Sequence, residues 1–386
     1  MGALQRPGHR RNGLELGFFR PRTLSLFNLM STQDDVQFLA LLVHRGRLSR
    51  GEAEKLLPQL QAGEPLDGLL LGEMGWEEDF LLKMRRTQAG EIPEIPGYEI
   101  LGKVGSGGTA DVFRVREAKT GRAIAIKVLR SEMAGNAATR KAFIGEARLL
   151  EGLDHSGLVR GFGVAKSGMT YFNRLELIEG RTLLEYLDEG QAFDESIALR
   201  IILETAEVLS YLYSQDVIHR DIKPGNIMLT ANGDVKLIDL GFAAEGGQAA
   251  NPEDSAVGTV AYLSPEQAVG GAAADLRSDV YSLGVTLFQL VVGRLPFESS
   301  DDQETLRMQV KESLSSPELK SRGFTPHLSY FIEKMMAKEL EIRYQTWDDL
   351  TSDIKEQLEG FESLNYEREA RSRSTRGRST RNPRKR

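Results

Sequence analysis

Between Val280 and Val292 the chain reads VYSLGVTLFQLVV, which is apolar on nearly every face of a helix. A helix without a polar side has to be enclosed by other elements, so this stretch predicts a large helical core. Crossing a bilayer would take about 20 such residues. No apolar run in the chain approaches that length without polar residues or glycine. The chain also carries no cysteine. That excludes disulfides, zinc-thiolate sites and cysteine nucleophiles, leaves packing alone to hold the fold, and permits a reducing, cytoplasmic address.

The hydrophobic period changes along the chain. Residues 98–176 alternate apolar and polar positions in four runs, Tyr98 to Val104, Val112 to Arg116, Ala123 to Leu129 and Thr170 to Glu176, with a helical stretch at 138–152 between them. After the Glu179-Gly180 break, helical segments dominate. A strand-rich lobe followed by a helical lobe makes an α+β fold with its natural ligand cleft between the two. Ahead of them, VQFLALLV, GEAEKLLPQLQ, LDGLLLGEMG and WEEDFLLKMRR predict a small helical module over 34–88, and the prolines of AGEIPEIPG make 89–97 a linker. Residues 1–33 are rich in arginine and read as a disordered leader or as sequence before the true start, a transit peptide being the other reading. Arg6 breaks a myristoylation signal. Although the formal net charge is −7, residues 359–386 are basic and low in complexity. They predict a disordered tail, either merely solvated or in contact with nucleic acid or another acidic surface.

Asn232-Gly233 is a strong type I′ turn signal between the apolar runs Ile227 to Leu229 and Val235 to Ile238. A two-residue turn there sets Asn226 opposite Asp239, with Cβ atoms about 4.5–5.5 Å apart, and brings two hard oxygen donors to one end of the hairpin. Such a pair suits Mg²⁺, which takes few protein ligands and keeps other positions for phosphate and water. Taken alone, an Asn/Asp pair at strand ends is more often a turn cap.

Just upstream runs His219-Arg220-Asp221-Ile222-Lys223-Pro224-Gly225-Asn226, and Asp239-Leu240-Gly241 follows the hairpin. These stretches resemble the HRDxKPxN catalytic loop and the metal-binding DFG of eukaryotic-type serine/threonine protein kinases, and look most like the bacterial members. The resemblance covers roughly residues 98–358. It implies a bilobal protein-kinase fold, with a β-rich N-lobe over 98–175 containing one main helix, a hinge at 176–180 and a helical C-lobe over 181–358. It also implies ATP and Mg²⁺ as cofactors and protein serine or threonine hydroxyls as acceptors, Lys223 marking the serine/threonine branch. On this resemblance Asp221 is the catalytic base, Lys223 steadies the transferring phosphate, and Asn226 and Asp239 hold the metal. Without its neighbours, an Asp after an Arg would read as a surface ion pair.

Gly105-Ser106-Gly107-Gly108-Thr109-Ala110-Asp111-Val112 resembles the glycine-rich loop of the same family, with Ala110 in place of the third glycine and therefore a stiffer loop. Glycines let backbone N–H groups approach phosphate closely, although a plain hairpin turn has the same composition. Ile124-Ala125-Ile126-Lys127 resembles the third-strand VAIK, which puts Lys127 on the α- and β-phosphates. Alternation places Ala125 and Lys127 on one face, although a solvated edge-strand lysine would look alike. In the helix, Phe143, Ala147 and Leu150 form a stripe that contains Glu146. A carboxylate left unpaired there costs on the order of several kcal/mol. The resemblance supplies Lys127 as its partner, the alternative being a helix-edge Glu that reaches water.

The resemblance further implies Leu175 as gatekeeper, the backbones of Glu176 and Ile178 on adenine, and Val112, Ala125 and Met228 around the ring. It pairs Glu266 with Arg343, anchors the catalytic loop on Asp279, stacks Leu240 beneath Leu150 and His219, and gives Thr259 to the substrate hydroxyl. The Gly/Ala-rich stretch between Asp239 and Glu266 reads as a mobile loop. Autophosphorylation at Ser255 would order it through Arg220, unless Glu253 and Asp254 serve constitutively. A nucleotide-binding pseudokinase or scaffold is the alternative function. Gly225 offers no charge from which a substrate preference can be read.

Overall fold

The structure is a computed structural model that describes residues 32–89, 92–241, 243–245, 260–270, 274–314, 319 and 323–361. The chain forms two units, dividing after Glu94. The first is a four-helix module of α1 (Thr32–His44), α2 (Arg50–Gln61), α3 (Leu66–Gly72) and α4 (Glu78–Gln88). Helix α1 takes in Thr32 and Gln33, which the sequence assigns to the leader. A capping box between Ser49 and Glu52 starts α2. Phe38, Leu42, Leu56, Leu60, Leu66 and Leu70 fill the module's core. Arg85 ties α4 to α1 and α3, with Nη2 at 2.5 Å from Asp35 Oδ1 and 2.6 Å from Asp67 Oδ1.

The second unit opens with a five-stranded antiparallel sheet of β1 (Tyr98–Ser106), β2 (Ala110–Glu117), β3 (Ala123–Leu129), β4 (Gly161–Ser167) and β5 (Thr170–Leu175), in the order β1-β2-β3-β5-β4. Alternation sorts its side chains. Phe113, Val115, Ile124, Ile126, Val128 and Phe172 cluster on one face, while Ala125 and Lys127 face the other way. After the short α5 (Ser131–Ala134), that second face receives α6 (Ala137–Gly152). Asn136 caps α6 by accepting from the Ala138 and Thr139 N–H groups. Strand β4, which the sequence reading missed, meets α6 through Gly161, where an added Cβ would stand 2.8 Å from Leu150 Cβ.

Past Leu175 come β6 (Gly180–Thr182), α7 (Leu183–Asp188), α8 (Glu195–Ser214), β7 (Val217–Ile218), β8 (Ile227–Thr230), β9 (Val235–Leu237) and β10 (Ala244–Glu245). Helices α9 (Pro265–Val269), α10 (Leu276–Val292), α11 (Asp302–Lys311) and α12 (Pro326–Met335) follow, with a last helix over 347–361. The apolar stretch lies in α10, which is buried from Ser278 to Val292. One apolar cluster runs from Ala125, Leu150 and Leu175 through Leu240 into α8, α10 and α12, so a shared core joins sheet and helices. This is the α+β bilobal kinase fold. Residues 359–361 belong to the last helix rather than the tail.

The hairpin corrects one expectation. Strands β8 and β9 pair Ile227 with Leu237, Met228 with Lys236 and Leu229 with Val235. Asn226 therefore stands opposite Ile238, whose N–H donates to its carbonyl at 3.0 Å, and Asp239 falls one residue beyond. The cause is the turn. Thr230 accepts from the Gly233 N–H and donates to Asp234, and Gly233 has φ +90°, giving a three-residue loop with a left-handed glycine in place of the two-residue turn.

Candidate active site

Lys127 is where sheet, helix and hairpin meet. Its Nζ lies 2.7 and 2.9 Å from the two oxygens of Glu146 and 3.3 and 3.4 Å from those of Asp239. Strand alternation aims Lys127 at α6, and the helical stripe brings Glu146 to meet it, 7% exposed among Phe143, Ala147 and Leu150. Burial pushes the Glu146 carboxyl up to about 7, with Lys127 pulling it down and Asp239 pushing it further up. Burial would lower the Lys127 ammonium, but the two carboxylates outweigh it and hold it above the ordinary lysine value. Asp239 goes the other way: against burial, Lys127 and the Gly241 N–H keep its carboxyl below the usual range.

The segment between β7 and β8 holds a second set. Asp221 is buried, and its carboxylate accepts from Lys223 Nζ at 2.8 and 2.9 Å and from Asn226 Nδ2 at 2.9 Å. Asn226 Nδ2 also reaches the Asp221 carbonyl at 2.8 Å, which leaves its Oδ1 pointing away from that carboxylate. Below them, the carboxylate of Asp279 accepts the His219 N–H at 2.9 Å and the Arg220 N–H at 2.7 Å. Those bonds hold Arg220 at φ +69°, a left-handed backbone that a non-glycine residue seldom adopts. Arg220 is itself buried, and its Nε and Nη2 have no hydrogen-bond partner among the described residues.

At the tip of β1 and β2 the Gly107 N–H donates to the Ala110 carbonyl at 2.8 Å. Gly105, Gly107 and Gly108 all keep negative φ, so none is needed here for a left-handed turn, and an added Cβ at each would meet only ordinary contacts or open space. Ala110, at the third-glycine position, is buried with Leu129 and Phe143. Ser106 is bonded to Asp111 Oδ1 and to Arg130 Nη2, each at 2.8 Å. Lys103 joins Asp111 at 2.9 Å. Burial opposes it, but Arg130, Lys103 and Ser106 bring the Asp111 carboxyl down to about 2.

Beyond β5, the Glu176 N–H is already taken by the Arg160 carbonyl at 2.9 Å, so only its carbonyl remains for a ligand. Its side chain, unremarked in the sequence, is held by Lys236 Nζ at 2.9 Å to both oxygens. No backbone hydrogen bond among the described residues uses the Ile178 N–H. Val112 and Ile178 pack on the shared core beside Ala125 and Leu175, as does Leu229, whereas Met228 is half-buried on the other face of β8.

Further down, the fully buried Arg343 grips Glu266 with two bonds of 2.8 and 2.9 Å, and Ser278 adds a third at 2.8 Å. Leu240 is buried in the cluster that contains Leu150. Thr259 and Ser255 lie outside the described residues.

Two lobes on one core, with a buried lysine–carboxylate pair facing an aspartate loop, define a protein kinase domain. Residues 98–354 match the protein kinase domain family, and the chain belongs to it. Over 259 residues it is 32% identical to serine/threonine-protein kinase PrkC of Bacillus subtilis, covering 67% of this chain and 40% of that protein. Over 264 residues it is 31% identical to serine/threonine-protein kinase PknB of Mycobacterium tuberculosis, covering 67% and 42%. A PknB of Mycolicibacterium smegmatis is 32% identical over 270 residues, covering 68% and 43%. The chain thus spans about two fifths of the length of the curated relatives it matches.

Proposed function

We propose that this chain transfers the γ-phosphoryl group of ATP to serine or threonine hydroxyls of protein substrates. The observation that carries the reading is the pair of sets just described: Lys127 fixed between Glu146 and Asp239, and Asp221 held by Lys223 and Asn226. The donor chemistry fits the expected cofactors. Asp239 and Asn226 offer hard oxygens of the kind Mg²⁺ takes, beside a fixed cation suited to phosphate. Bound there, Mg²⁺ and ATP would supply the transferable group and neutralise its charge.

The chain's own residues align and stabilise. Phosphoryl transfer passes through a loose transition state that needs positioning and positive charge more than covalent help. Lys127 Nζ donates to phosphate oxygens, with Glu146 keeping it extended from β3. Asp221 accepts the proton of the incoming hydroxyl, and Lys223, already on its carboxylate, steadies the transferring group. Gly105, Ser106, Gly107 and Gly108 form the loop over the phosphates, the Gly107 N–H being already given to the Ala110 carbonyl. The Glu176 carbonyl and the Ile178 N–H take the adenine edge, with Val112, Ala125 and Met228 about the ring. Glu266 with Arg343, and Asp279, hold the loops on which this depends. Thr259 is assigned to the substrate hydroxyl on the resemblance alone.

Regulation belongs to the same proposal. The buried nitrogens of Arg220, without a partner among the described residues, suit a phosphate arriving on Ser255. Among the described residues no helix is long and apolar enough to cross a membrane. A cytoplasmic address, expected from a cysteine-free chain, is part of the proposal; the tail's contact with nucleic acid falls on residues 362–386, which lie outside the described residues.

The test is phosphate transfer from labelled ATP with Mg²⁺ to a generic protein substrate, beside Asp221→Asn. Removal of the base is expected to cost on the order of 10²–10⁴-fold in turnover with the fold intact. Equal transfer by the variant overturns the assignment of Asp221. Nucleotide binding without any transfer makes the chain a pseudokinase.

A further inference from the structure

Asn173 is fully buried in the middle of β5, at an inward position of the alternation Tyr171, Asn173, Leu175, where the neighbouring positions carry large apolar groups. Its register partner on β3 is Lys127. Directly opposed residues share a sheet face with Cβ atoms about 4.5–5.5 Å apart, so both side chains leave the sheet toward α6. Lys127 takes the carboxylate of Glu146. Asn173 Nδ2 donates to the backbone carbonyl of Phe143 at 3.3 Å, three residues earlier on the same helix. Asn173 Oδ1 has no hydrogen-bond partner among the described residues.

That arrangement is poor for stability and useful for position. An apolar side chain would fill the site without stranding a buried oxygen, so packing alone does not select asparagine. What asparagine adds is a directional bond. The C-terminal end of α6 is already fixed by close packing, with Leu150 pressed on Gly161. The middle of the helix, Phe143 to Glu146, is tied to the sheet at two polar points, Lys127 and Asn173, besides the packing of Phe143 against Ala110 and Leu129.

We infer that Asn173 is a positioning residue that holds α6, and with it Glu146, in the place phosphoryl transfer requires. The inference rests on the phosphoryl-transfer reading. It acts through Glu146 and Lys127 and not on substrate.

Asn173→Val, close in volume and suited to a strand, removes the donor. Four quantities are compared with wild type: backbone amide exchange over 137–152, kcat, the KM for ATP, and the thermal midpoint. The expected result is faster exchange in α6 and a kcat about five- to tenfold lower, the worth of one hydrogen bond, with KM for ATP unchanged and the midpoint equal or higher. Unchanged exchange overturns the inference, as does unchanged kcat. A kcat that falls together with ATP affinity and the midpoint also overturns it, because ordinary destabilisation then suffices. Should the valine variant not fold, Asn173→Leu is measured against the same outcomes. An inactive wild type sinks the phosphoryl-transfer reading, and the exchange measurement still decides whether Asn173 holds α6.

Discussion

Lys127 Nζ bonds both oxygens of Glu146, at 2.7 and 2.9 Å, and so ties β3 to the middle of α6. Burial makes that carboxylate costly to ionise, and its carboxyl stands at about 7 against an ordinary 4.5. Because the folded value is the higher one, the folded chain keeps a proton that the unfolded chain has released between those limits. The stability contributed by this group is complete below pH 4.5 and gone above about pH 7. The ionised form that grips Lys127 grows in over the same interval. The ATP-free enzyme should therefore show kcat/KM rising through about pH 7, and Glu146→Gln should be slower overall and lack that limb. A wild-type profile flat from about pH 6 to 8 would contradict the assignment.

Arg343 should be among the most costly side chains to lose. It is fully buried, and besides Glu266 it donates to the carbonyls of Ala337, Arg277 and Lys338. Arg343→Met leaves a buried carboxylate unpaired, so denaturant unfolding should show a loss of about 3–5 kcal/mol. Arg343→Lys should recover little, since an ammonium has three donors and lacks the planar fork that serves several carbonyls at once.

Gly284 sets two effects against each other. In mid-helix, alanine is favoured over glycine by about 1 kcal/mol. Here the added Cβ would meet Met335 Cβ at 2.7 Å and Met336 Cγ at 3.0 Å, where α10 lies against α12. Overpacking of this kind costs about 1–3 kcal/mol, and Met335 Cβ, next to the backbone, has little freedom to yield. Gly284→Ala should therefore lower the thermal midpoint, and a raised midpoint would show that the helices separate easily.

Ser255→Ala should lower turnover, with mass spectrometry finding phosphate on the 243–259 segment of active wild type and not of Asp221→Asn. Wild-type turnover with an unphosphorylated segment removes Ser255 from the account and leaves Glu253 and Asp254 as the groups to substitute next.

Much of this was readable before any coordinates. The alternation in Ile124 to Lys127, the stripe of Phe143, Ala147 and Leu150, and the all-apolar α10 are local periodicities. A period of two or of 3.6 fixes which side chains share a face whatever lies opposite. The motif resemblance carried what periodicity could not, namely that Lys127 and Glu146 meet. The absence of a strong alternating pattern in Gly161 to Ser167 hid β4, and a polar residue on an inward β5 position was the one available sign of Asn173.

What the amino-acid order determined alone is the strongly periodic elements and the faces they bury, since both follow from the spacing of apolar residues along a short stretch of backbone. Register and pairing were decided only in three dimensions. The left-handed Gly233 lengthened the hairpin loop and set Asn226 against Ile238, Arg160 claimed the Glu176 N–H, and Asn173 found a helix carbonyl thirty residues away. Each of these depends on the position of a partner that no local pattern encodes.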